Sequence, residues 1–389
     1  MYGKKTVFLA LIILCSVLSA YIWMRFTDSA RVVKIGVFQP LSGDNGSGGR
    51  QEALGIEYAN KLTPTVNIGG VSYNVELVYA DNKSSVEEAP IAAKTLVDAG
   101  CSIVLGSYGS SVCIAAHNVL DAARMPTIGI SCTNPAVTVG NDFYFRICFL
   151  DPYQGAVLAN FAEYKFNAKK AYVLAKKGDT YSEGLCEYFL EDFGVDSCVY
   201  EAYPEGTTDF SSYVANAKAS GAQVLFAPIS IEAGTMLIDQ VVNQALGIPL
   251  LAGDTWDSNV ILNAAKGKDV QIFVTTHYQE SGNTRFDNGF KSWLNSDAKK
   301  LAYNGGDDVV AGGSGMGYDA YYVALEALKA ARSTNREKIL SVLGNVRYEG
   351  ITGSIAFDKI GDAVRSLAFI KSANTQLGSW EFVAQRGVK

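Results

Sequence analysis

Short apolar segments and amphipathic stretches alternate along most of this chain, and that alternation constrains the fold more than any other feature. The first apolar segment, VVKIGVF at 32–38, is almost continuously apolar, as expected of a strand buried on both faces of a sheet. The stretches between such segments span roughly 10–15 residues with helical apolar spacing, the pattern of parallel strands joined by crossover helices. The sequence therefore predicts an α/β fold in which helices cover both faces of parallel sheets.

The alternation forms two series that divide near Asp151-Pro152, and each series predicts one doubly wound lobe. In the first series we expect strands at 32–38, 74–80, 102–106 and 127–130, and helices at 50–62, 86–99 and 110–124. In the second series we expect strands at 171–175, 197–203, 223–227 and 249–252, and helices at 152–166, 181–193, 209–220 and 231–245. A further helix is expected at 318–331.

The first 30 residues have the pattern of an export signal. Lys4 and Lys5 precede an uncharged apolar stretch from Val7 to Met24. At roughly 18 residues, this stretch lies between the core of a secretory signal and the shortest helix that spans a bilayer. We expect an exported protein whose residues 1–30 are a signal peptide or an N-terminal anchor, with the remaining chain on the extracytoplasmic side.

Charge and motif content argue against most enzymes and against nucleic-acid binding. The chain has 33 Lys+Arg against 39 Asp+Glu, a net charge of −6, so it lacks the basic surface that nucleic acid requires. Its two histidines, His117 and His277, are predicted to be structural. Gly312–Gly317 (GGSGMG) lacks the Gly-Lys-Ser/Thr of a phosphate loop, and Asp307-Asp308 lacks the spacing of a calcium loop. We expect no catalytic residues, no cofactor and no metal.

Six of the seven cysteines follow the export segment, an even number that permits disulfides in an oxidising compartment. Cys186 and Cys198 are the favoured local pair, because they join a predicted helix to the next strand. Buried free thiols are an equally good interpretation of each cysteine.

The loops after the predicted strands are the expected ligand-binding positions, because open α/β sheets bind ligands outside the carboxyl ends of their strands. These loops are rich in Ser, Thr, Gly and Asp, and lie at 41–49, 106–111, 130–134, 178–182, 228–232 and 253–257. Hydroxyls and free N–H groups at helix starts suit a carboxylate, while Asp254 can balance an ammonium. The combination predicts a zwitterionic ligand.

Segments of these loops resemble the exported branched-chain amino-acid-binding proteins, the type I solute receptors of ABC importers. They are KIGVFQPLSG (34–43), LGSYGSS (105–111), ISCTNPAVT (130–138), DTYSEG (179–184) and GDTWD (253–257). The resemblance extends from about residue 32 to 372 and implies the type I periplasmic binding fold, two doubly wound lobes joined by three crossings. Residues 31–150 plus 279–352 would form lobe 1, and residues 151–278 plus 353–389 would form lobe 2.

The resemblance also implies roles for residues at the ligand's two charged groups. Ser110 and Thr133, with the backbone N–H groups of Ser111 and Thr133, would receive the α-carboxylate. The Ser131 carbonyl and the Asp254 carboxylate would hold the α-ammonium. Without the resemblance, Ser110 is read as a helix N-cap and Thr133 as part of a turn.

Other residues would surround the ligand's side chain. Tyr181 would close over the ligand from lobe 2, and Trp256, Tyr318 and Ile229 would form walls, although an aromatic residue in an α/β protein is more often in the core. Some members of the family have a tyrosine where this chain has Gly48. The aliphatic pocket is therefore expected to be more open here, or filled by another group, which leaves a larger or more polar amino acid as an alternative ligand.

Together these features predict a monomeric solute-binding protein that captures an amino acid by hinge closure and delivers it to an ABC permease. A membrane-anchored ligand-sensing receptor of the same fold is the alternative from another functional class, and a small amide or urea-type solute is an alternative ligand. An NAD-dependent enzyme would instead show nucleotide binding and turnover.

Overall fold

A computed structural model of the chain describes residues 31–365 and 367–386. The expected signal peptide or anchor at residues 1–30 lies outside the described residues. Within them, no helix combines the length and apolar character needed to cross a bilayer. The α/β class and the two parallel-sheet lobes predicted from the sequence are confirmed.

The eight predicted strands occur at positions close to those expected, and the described residues contain further strands that were not predicted. In chain order they are β1 (Val32–Gln39), β2 (Thr65–Ile68), β3 (Val71–Asp81), β4 (Ile103–Leu105), β5 (Thr127–Gly129), β6 (Tyr144–Arg146), β7 (Ala171–Lys176), β8 (Cys198–Tyr203), β9 (Val224–Phe226), β10 (Leu250–Ala252), β11 (Ile272–Thr276), β12 (Arg347–Gly350), β13 (Gly353–Ala356), β14 (Ala368–Asn374) and β15 (Ser379–Arg386).

The α-helices cover the faces of these sheets. In chain order they are α1 (Gly46–Leu62), α2 (Ala89–Asp98), α3 (Ser110–Ala115), α4 (His117–Ala122), α5 (Asp151–Phe166), α6 (Thr180–Phe193), α7 (Ser211–Ser220), α8 (Ile231–Asn243), α9 (Asn259–Ala265), α10 (Thr284–Leu294), α11 (Ala298–Tyr303), α12 (Gly312–Ala331) and α13 (Arg336–Leu343). Short 3₁₀ turns occur at Pro135–Val137, Val195–Ser197 and Asp254–Trp256.

The sheet of lobe 1 has the strand order β2-β3-β1-β4-β5-β6. Its strands pair in parallel except for β2, which forms an antiparallel hairpin with β3 across Gly69 and Gly70. Both glycines have positive φ, a backbone conformation that glycine adopts without steric penalty. Strand β2 was not predicted, because its four residues are too short for a periodicity signal.

The sheet of lobe 2 has the order β15-β14-β11-β10-β9-β7-β8. Strands β7 to β11 are parallel, and β14 and β15 add an antiparallel edge from the end of the chain. Apolar clusters cover both faces of each sheet. The carboxyl ends of the central strands of both lobes are therefore left to carry polar loops.

The glycine-rich segment 312–317 is the start of α12 rather than a loop before a helix. Here α12 packs directly on α1: a Cβ on Gly55 would overlap the Ser314 carbonyl, and a Cβ on Gly317 would overlap the Glu52 carbonyl. These glycines allow the backbones of the two helices to touch.

The chain passes between the lobes three times, around residues 147–150 and 277–279 and after residue 357. The hairpin β12–β13 still belongs to lobe 1, because Ile355 and Phe357 are buried in that lobe's core. The third passage consequently lies after Phe357, several residues beyond the boundary expected at residue 352.

The six cysteines in the described part of the chain are free thiols. The favoured pair of Cys186 and Cys198 is not formed; Cys186 is buried and Cys198 is half-buried beside the same apolar cluster of lobe 2. The alternative of buried thiols describes these residues. A second difference is that the helix expected at 110–124 is divided into α3 and α4 at Ala116.

Candidate functional site

The loops at the carboxyl ends of the strands face each other across a cleft between the lobes. Direct hydrogen bonds cross this cleft: the Tyr108 hydroxyl donates to the Thr255 carbonyl over 2.8 Å, and the Ile231 N–H donates to Asn45 Oδ1 over 3.1 Å. The Glu232 N–H donates to the carbonyl of residue 44 over 3.1 Å. The structure is therefore a closed form in which both lobes contribute to one site.

Asp254 begins the 3₁₀ turn after β10 and is almost completely buried. One carboxylate oxygen accepts a hydrogen bond from the Tyr181 hydroxyl over 3.2 Å, and the other lies 3.3 Å from His277 Nε2. The backbone N–H of Asp254 donates to Gln154 Oε1 over 2.8 Å, which fixes the turn. The predicted residues Asp254 and Tyr181 are thus in direct contact at the cleft.

A second carboxylate comes from lobe 1. Glu52, on α1, is fully buried and accepts hydrogen bonds from Ser131 Oγ over 2.5 Å and from Gln39 Nε2 over 2.6 Å. Burial raises the pKa of Glu52 to about 8, although those two hydrogen bonds oppose the shift. Glu52 is therefore largely protonated at neutral pH. The predicted site residue Ser131 adjoins it through its hydroxyl.

A third buried carboxylate is Asp151, the first residue of α5, where the chain enters lobe 2. Its N–H donates to the Thr133 carbonyl over 3.0 Å, and its Oδ1 accepts from Gln154 Nε2 over 3.2 Å. Burial raises the pKa of Asp151 to about 7. The negative charge of Asp254 acts in the same direction, so these two carboxylates interact.

Several buried polar atoms in this region make no hydrogen bond of good geometry with the described residues. They are Thr133 Oγ1, Asp151 Oδ2 and His277 Nδ1. Native structures rarely leave buried polar atoms without a partner, so a group of them at a cleft indicates a place where a polar ligand is received.

The residues predicted to receive a carboxylate join the loops of the two lobes. Ser110 Oγ accepts from the Asn134 N–H over 3.1 Å within lobe 1, and it does not cap its own helix. Ser111 Oγ donates to Asp179 Oδ2 over 3.1 Å and accepts from the Thr180 N–H over 3.0 Å, both in lobe 2. The hydroxyl of Ser111 therefore bonds across the cleft.

Tyr108 occupies the space beside Gly48, where the sequence left open whether the pocket is empty or filled by another group. A Cβ on Gly48 would overlap the Tyr108 ring, so the absence of a side chain at position 48 makes room for that ring. The ring is 5% exposed, and the backbone N–H of Tyr108 donates to Gln39 Oε1 over 2.9 Å. Of the two outcomes expected at Gly48, an open pocket or one filled by another group, the structure has the second.

Of the three predicted wall residues, Trp256 and Ile229 pack in the same apolar cluster as Tyr108, and Tyr318 lies apart from it. Trp256 is fully buried in the core of lobe 2, where its Nε1 donates to the Ile229 carbonyl over 2.9 Å. The Ile229 side chain belongs to the same core. Tyr318 packs in a separate aromatic group with Tyr58 and Phe286. Large apolar side chains gain most by full burial, which accounts for the position of the Trp256 ring.

His277, which the sequence analysis treated as structural, lies at the cleft. It follows β11, is almost fully buried, and its ring centroid is 3.8 Å from that of Phe149. Burial lowers the pKa of His277, while Asp254 opposes that shift. Its position directly after a parallel strand is the same signal that identified Asp254, and it could have found this residue.

A cavity of about 40 Å³ lies between the lobes and is lined by Asp44, Tyr108, Ser111, Lys176, Tyr181 and Thr255, among others. Lys176 lies at its edge and pairs with Asp44 over 3.1 Å and with Glu205 over 2.7 Å. Within the described residues, no group of His, Cys, Asp and Glu side chains has the arrangement to hold a metal ion. The groups at the cleft are carboxyl, hydroxyl and aromatic side chains.

Known proteins are similar to this chain in sequence and in architecture. The sequence profile of the periplasmic binding protein family matches residues 32–375. An amino acid binding protein of Pseudomonas aeruginosa is 34% identical over 249 residues, which cover 62% of this chain and 65% of that protein. The Leu/Ile/Val-binding protein homolog 2 of Brucella abortus is 27% identical over 92% of this chain and 93% of its own length.

A solved structure agrees with these sequence matches. The leucine-binding protein LivK of Thermotoga maritima superposes with a TM-score of 0.79 and 28% identity, covering 91% of this chain and 99% of that one. The resemblance to branched-chain amino-acid-binding proteins inferred from the loop segments is confirmed. By its profile match, its relatives and its two-lobed architecture, the chain belongs to the periplasmic binding protein family, and it is similar to Leu/Ile/Val-binding members of that family.

Proposed function

We propose that this protein is the extracytoplasmic solute-binding component of an ABC importer and captures an amino acid between its lobes by hinge closure. The observation that carries the proposal is Asp254, a buried carboxylate held by Tyr181 and His277 in a cleft that both lobes close. A buried carboxylate of this kind requires a cationic partner, and the α-ammonium of an amino acid supplies one.

The ligand's two charged groups would bind at opposite ends of the site. The ammonium would bind to Asp254 and to the Ser131 carbonyl. The carboxylate would bind to the N–H groups of Ser111 and Thr133, at the start of α3 and in the loop after β5. Each charge-assisted hydrogen bond contributes roughly 1.5–3 kcal/mol, enough in combination to hold a small solute.

Closure would follow from this arrangement because the ligand contacts both lobes only when they meet. A ligand shifts a conformational equilibrium by its difference in affinity for the two states. The cross-lobe hydrogen bonds of Tyr108, Ser111 and Asn45 form in the same closed state and add to its stability. A membrane permease would then receive the closed protein, and a monomer is sufficient for this mechanism.

The proposal is tested by a ligand screen. Purified protein, unfolded and refolded to remove bound solute, is heated with each of the twenty amino acids, small amides and urea. A ligand at 100 times its dissociation constant adds about 2.7 kcal/mol to the free energy of unfolding and so raises the midpoint. A shift with amino acids supports the proposal, a shift with amides or urea alone changes the solute class, and no shift with any compound contradicts it.

Asp254→Ala provides the matched variant for that screen. With the ammonium left unpaired in a buried site, we expect amino-acid binding to weaken by roughly 3–5 kcal/mol. The ligand-free variant should lose about 1–3 kcal/mol of its free energy of unfolding, because the buried Tyr181 and His277 lose a hydrogen-bond partner. Tight binding retained by Asp254→Ala, measured by calorimetry, would show that this carboxylate does not hold the ligand.

A membrane-anchored receptor remains the second candidate, because no small-x-small cleavage site follows the apolar stretch from Val7 to Met24. The mass of the N-terminus of the mature protein separates the two functions. An anchored receptor must retain this stretch, whereas a released binding protein has lost it.

A further inference from the structure

Tyr108 connects the two ends of the proposed amino-acid site. Its backbone lies in the loop that presents Ser111, and its hydroxyl donates to the carbonyl of Thr255, the residue after Asp254. The ring therefore extends from the loop expected to bind the carboxylate to the turn expected to bind the ammonium. A ligand held at both ends would have this ring along its side.

The ring is held in place on several sides. Its backbone N–H donates to the side chain of Gln39, which in turn donates to Glu52. The ring also lies directly against α1 at Gly48, where a Cβ would overlap it. The ring is 5% exposed, so closure buries it. A rigid ring in this position removes volume that a branched aliphatic side chain would need.

The groups around the remaining space are polar. Beside the Tyr108 ring, the cavity of about 40 Å³ between the lobes is lined mainly by hydroxyl and charged groups, among them Ser111, Ser182, Ser230, Thr255 and Lys176. An apolar ligand side chain placed there would meet polar groups on most sides, which is unfavourable, whereas a hydroxyl or amide would bond to them.

We propose that Tyr108 sets the ligand specificity of this cleft, restricting it to amino acids with short polar side chains and rejecting leucine, isoleucine and valine. This inference rests on the proposed function. It assigns Tyr108 as a specificity-determining residue whose ring excludes long side chains and whose hydroxyl helps to close the lobes.

The experiment measures dissociation constants of the wild-type protein, Tyr108→Ala and Tyr108→Phe for serine, threonine, asparagine, leucine and phenylalanine by calorimetry. The wild type should prefer the short polar amino acids to leucine by about tenfold or more, the scale on which a pocket discriminates by fit. Tyr108→Ala should reduce that preference by about tenfold or more, because it opens the space above Gly48. Tyr108→Phe should keep the preference and weaken all ligands alike.

Tyr164→Ala is the control, because Tyr164 is an exposed tyrosine on α5 outside the cleft, and it should leave every constant unchanged. A second measurement uses Gly48→Ala, whose Cβ would displace the ring. Gly48→Ala should impair binding of the short ligands in the wild type and have little effect in Tyr108→Ala, since the obstructing ring is then absent.

The outcomes separate this inference from the proposed function. Leucine bound by the wild type as tightly as serine or asparagine would overturn the role of Tyr108 and leave amino-acid capture intact. That role is also overturned if Tyr108→Ala leaves the preference unchanged, or if Gly48→Ala acts equally in both backgrounds. A wild type that binds no amino acid at all would overturn both the role of Tyr108 and the proposed function.

Discussion

Two groups of buried charged residues in this protein differ in whether the protein supplies a partner of opposite charge. That difference separates a structural role from a binding role. Beside the hinge, Arg146 is fully buried and bonds to Asp362 over 2.5 Å and to the Cys132 carbonyl over 2.9 Å. At the cleft, Glu52, Asp151 and Asp254 are equally buried, but no Lys or Arg of the described chain forms an ion pair with any of them.

The difference shows how each group avoids an uncompensated charge. The Arg146 guanidinium and the Asp362 carboxylate neutralise each other, so the pair is complete in the protein alone. At the cleft, the pKa values of Glu52 and Asp151 are raised instead. Neutral side chains bond to these carboxyls, such as Gln154 to Asp151 and Tyr181 to Asp254. A buried acidic group without a cation of its own is the expected counterpart of a cationic ligand.

The largest predicted effect is the loss of stability when the buried pair of Arg146 and Asp362 is broken. Arg146→Leu leaves Asp362 buried without a cation, and the free energy of unfolding should fall by about 3–5 kcal/mol. Denaturant unfolding measures this change in the free energy of unfolding. The matched control is Arg124→Leu, which removes an arginine paired with Asp142 and Glu337 at the surface and should change stability by about 1 kcal/mol or less. Equal losses in the two variants would contradict the structural role of the buried pair.

The second prediction concerns the pH dependence of the cleft carboxyls. The folded-state pKa of Glu52 is raised from 4.5 to about 8, so between these values the folded protein binds more protons than the unfolded chain. Stability of the ligand-free protein should therefore be full below pH 4.5 and fall as pH rises towards 8, by up to about 1.4 kcal/mol per pH unit for this group.

Glu52→Gln should flatten this dependence in thermal unfolding measured across the same pH range, because the amide does not titrate. The exposed Glu187→Gln variant is the control and should keep the wild-type slope. Asp151, whose pKa is raised to about 7, contributes in the same direction and should leave a smaller residual slope in Glu52→Gln. An unchanged slope in Glu52→Gln would contradict a protonated Glu52.

The smallest predicted effect concerns a single bond across the cleft. Ser111→Ala removes the hydroxyl that joins lobe 1 to Asp179 and Thr180, and ligand binding should weaken by about 1 kcal/mol. Ser220→Ala removes a serine hydrogen bond within lobe 2 alone and should leave the dissociation constant unchanged. If both variants bind the ligand like the wild type, the bond of Ser111 does not contribute to closure.

Part of the candidate site could be predicted because its residues follow strands directly. Asp254 comes after β10 and Tyr181 opens the helix after β7, and the structure brings them together. Glu52 escaped prediction because it lies inside a helix sequence, where a lone carboxylate is typical of a surface residue. Asp151 escaped prediction because it stands at the start of a helix, where an acidic residue is ordinary. Only the packing of α1 on α12 and the hinge position of α5 bury them.

The positions of the aromatic rings, by contrast, could not be predicted from the sequence. Trp256 and Tyr108 are both aromatic residues in loops after strands, and nothing in their local sequence tells which ring packs within one lobe and which packs across the two lobes. The structure places Trp256 beneath Gly234 in lobe 2, and Tyr108 against Gly48 between the lobes. In each case a glycine from another element made room for the ring.

By itself, the sequence determined the α/β class, the two series of strands and helices, and the loops in which a ligand would bind, because these depend on apolar periodicity and on short-range signals for turns and helix ends. Only the tertiary structure decided which polar groups are buried together and which ring fills the cleft. Those outcomes depend on contacts between residues far apart in the chain, such as Glu52 with Ser131 and Tyr108 with Thr255, which no local pattern records.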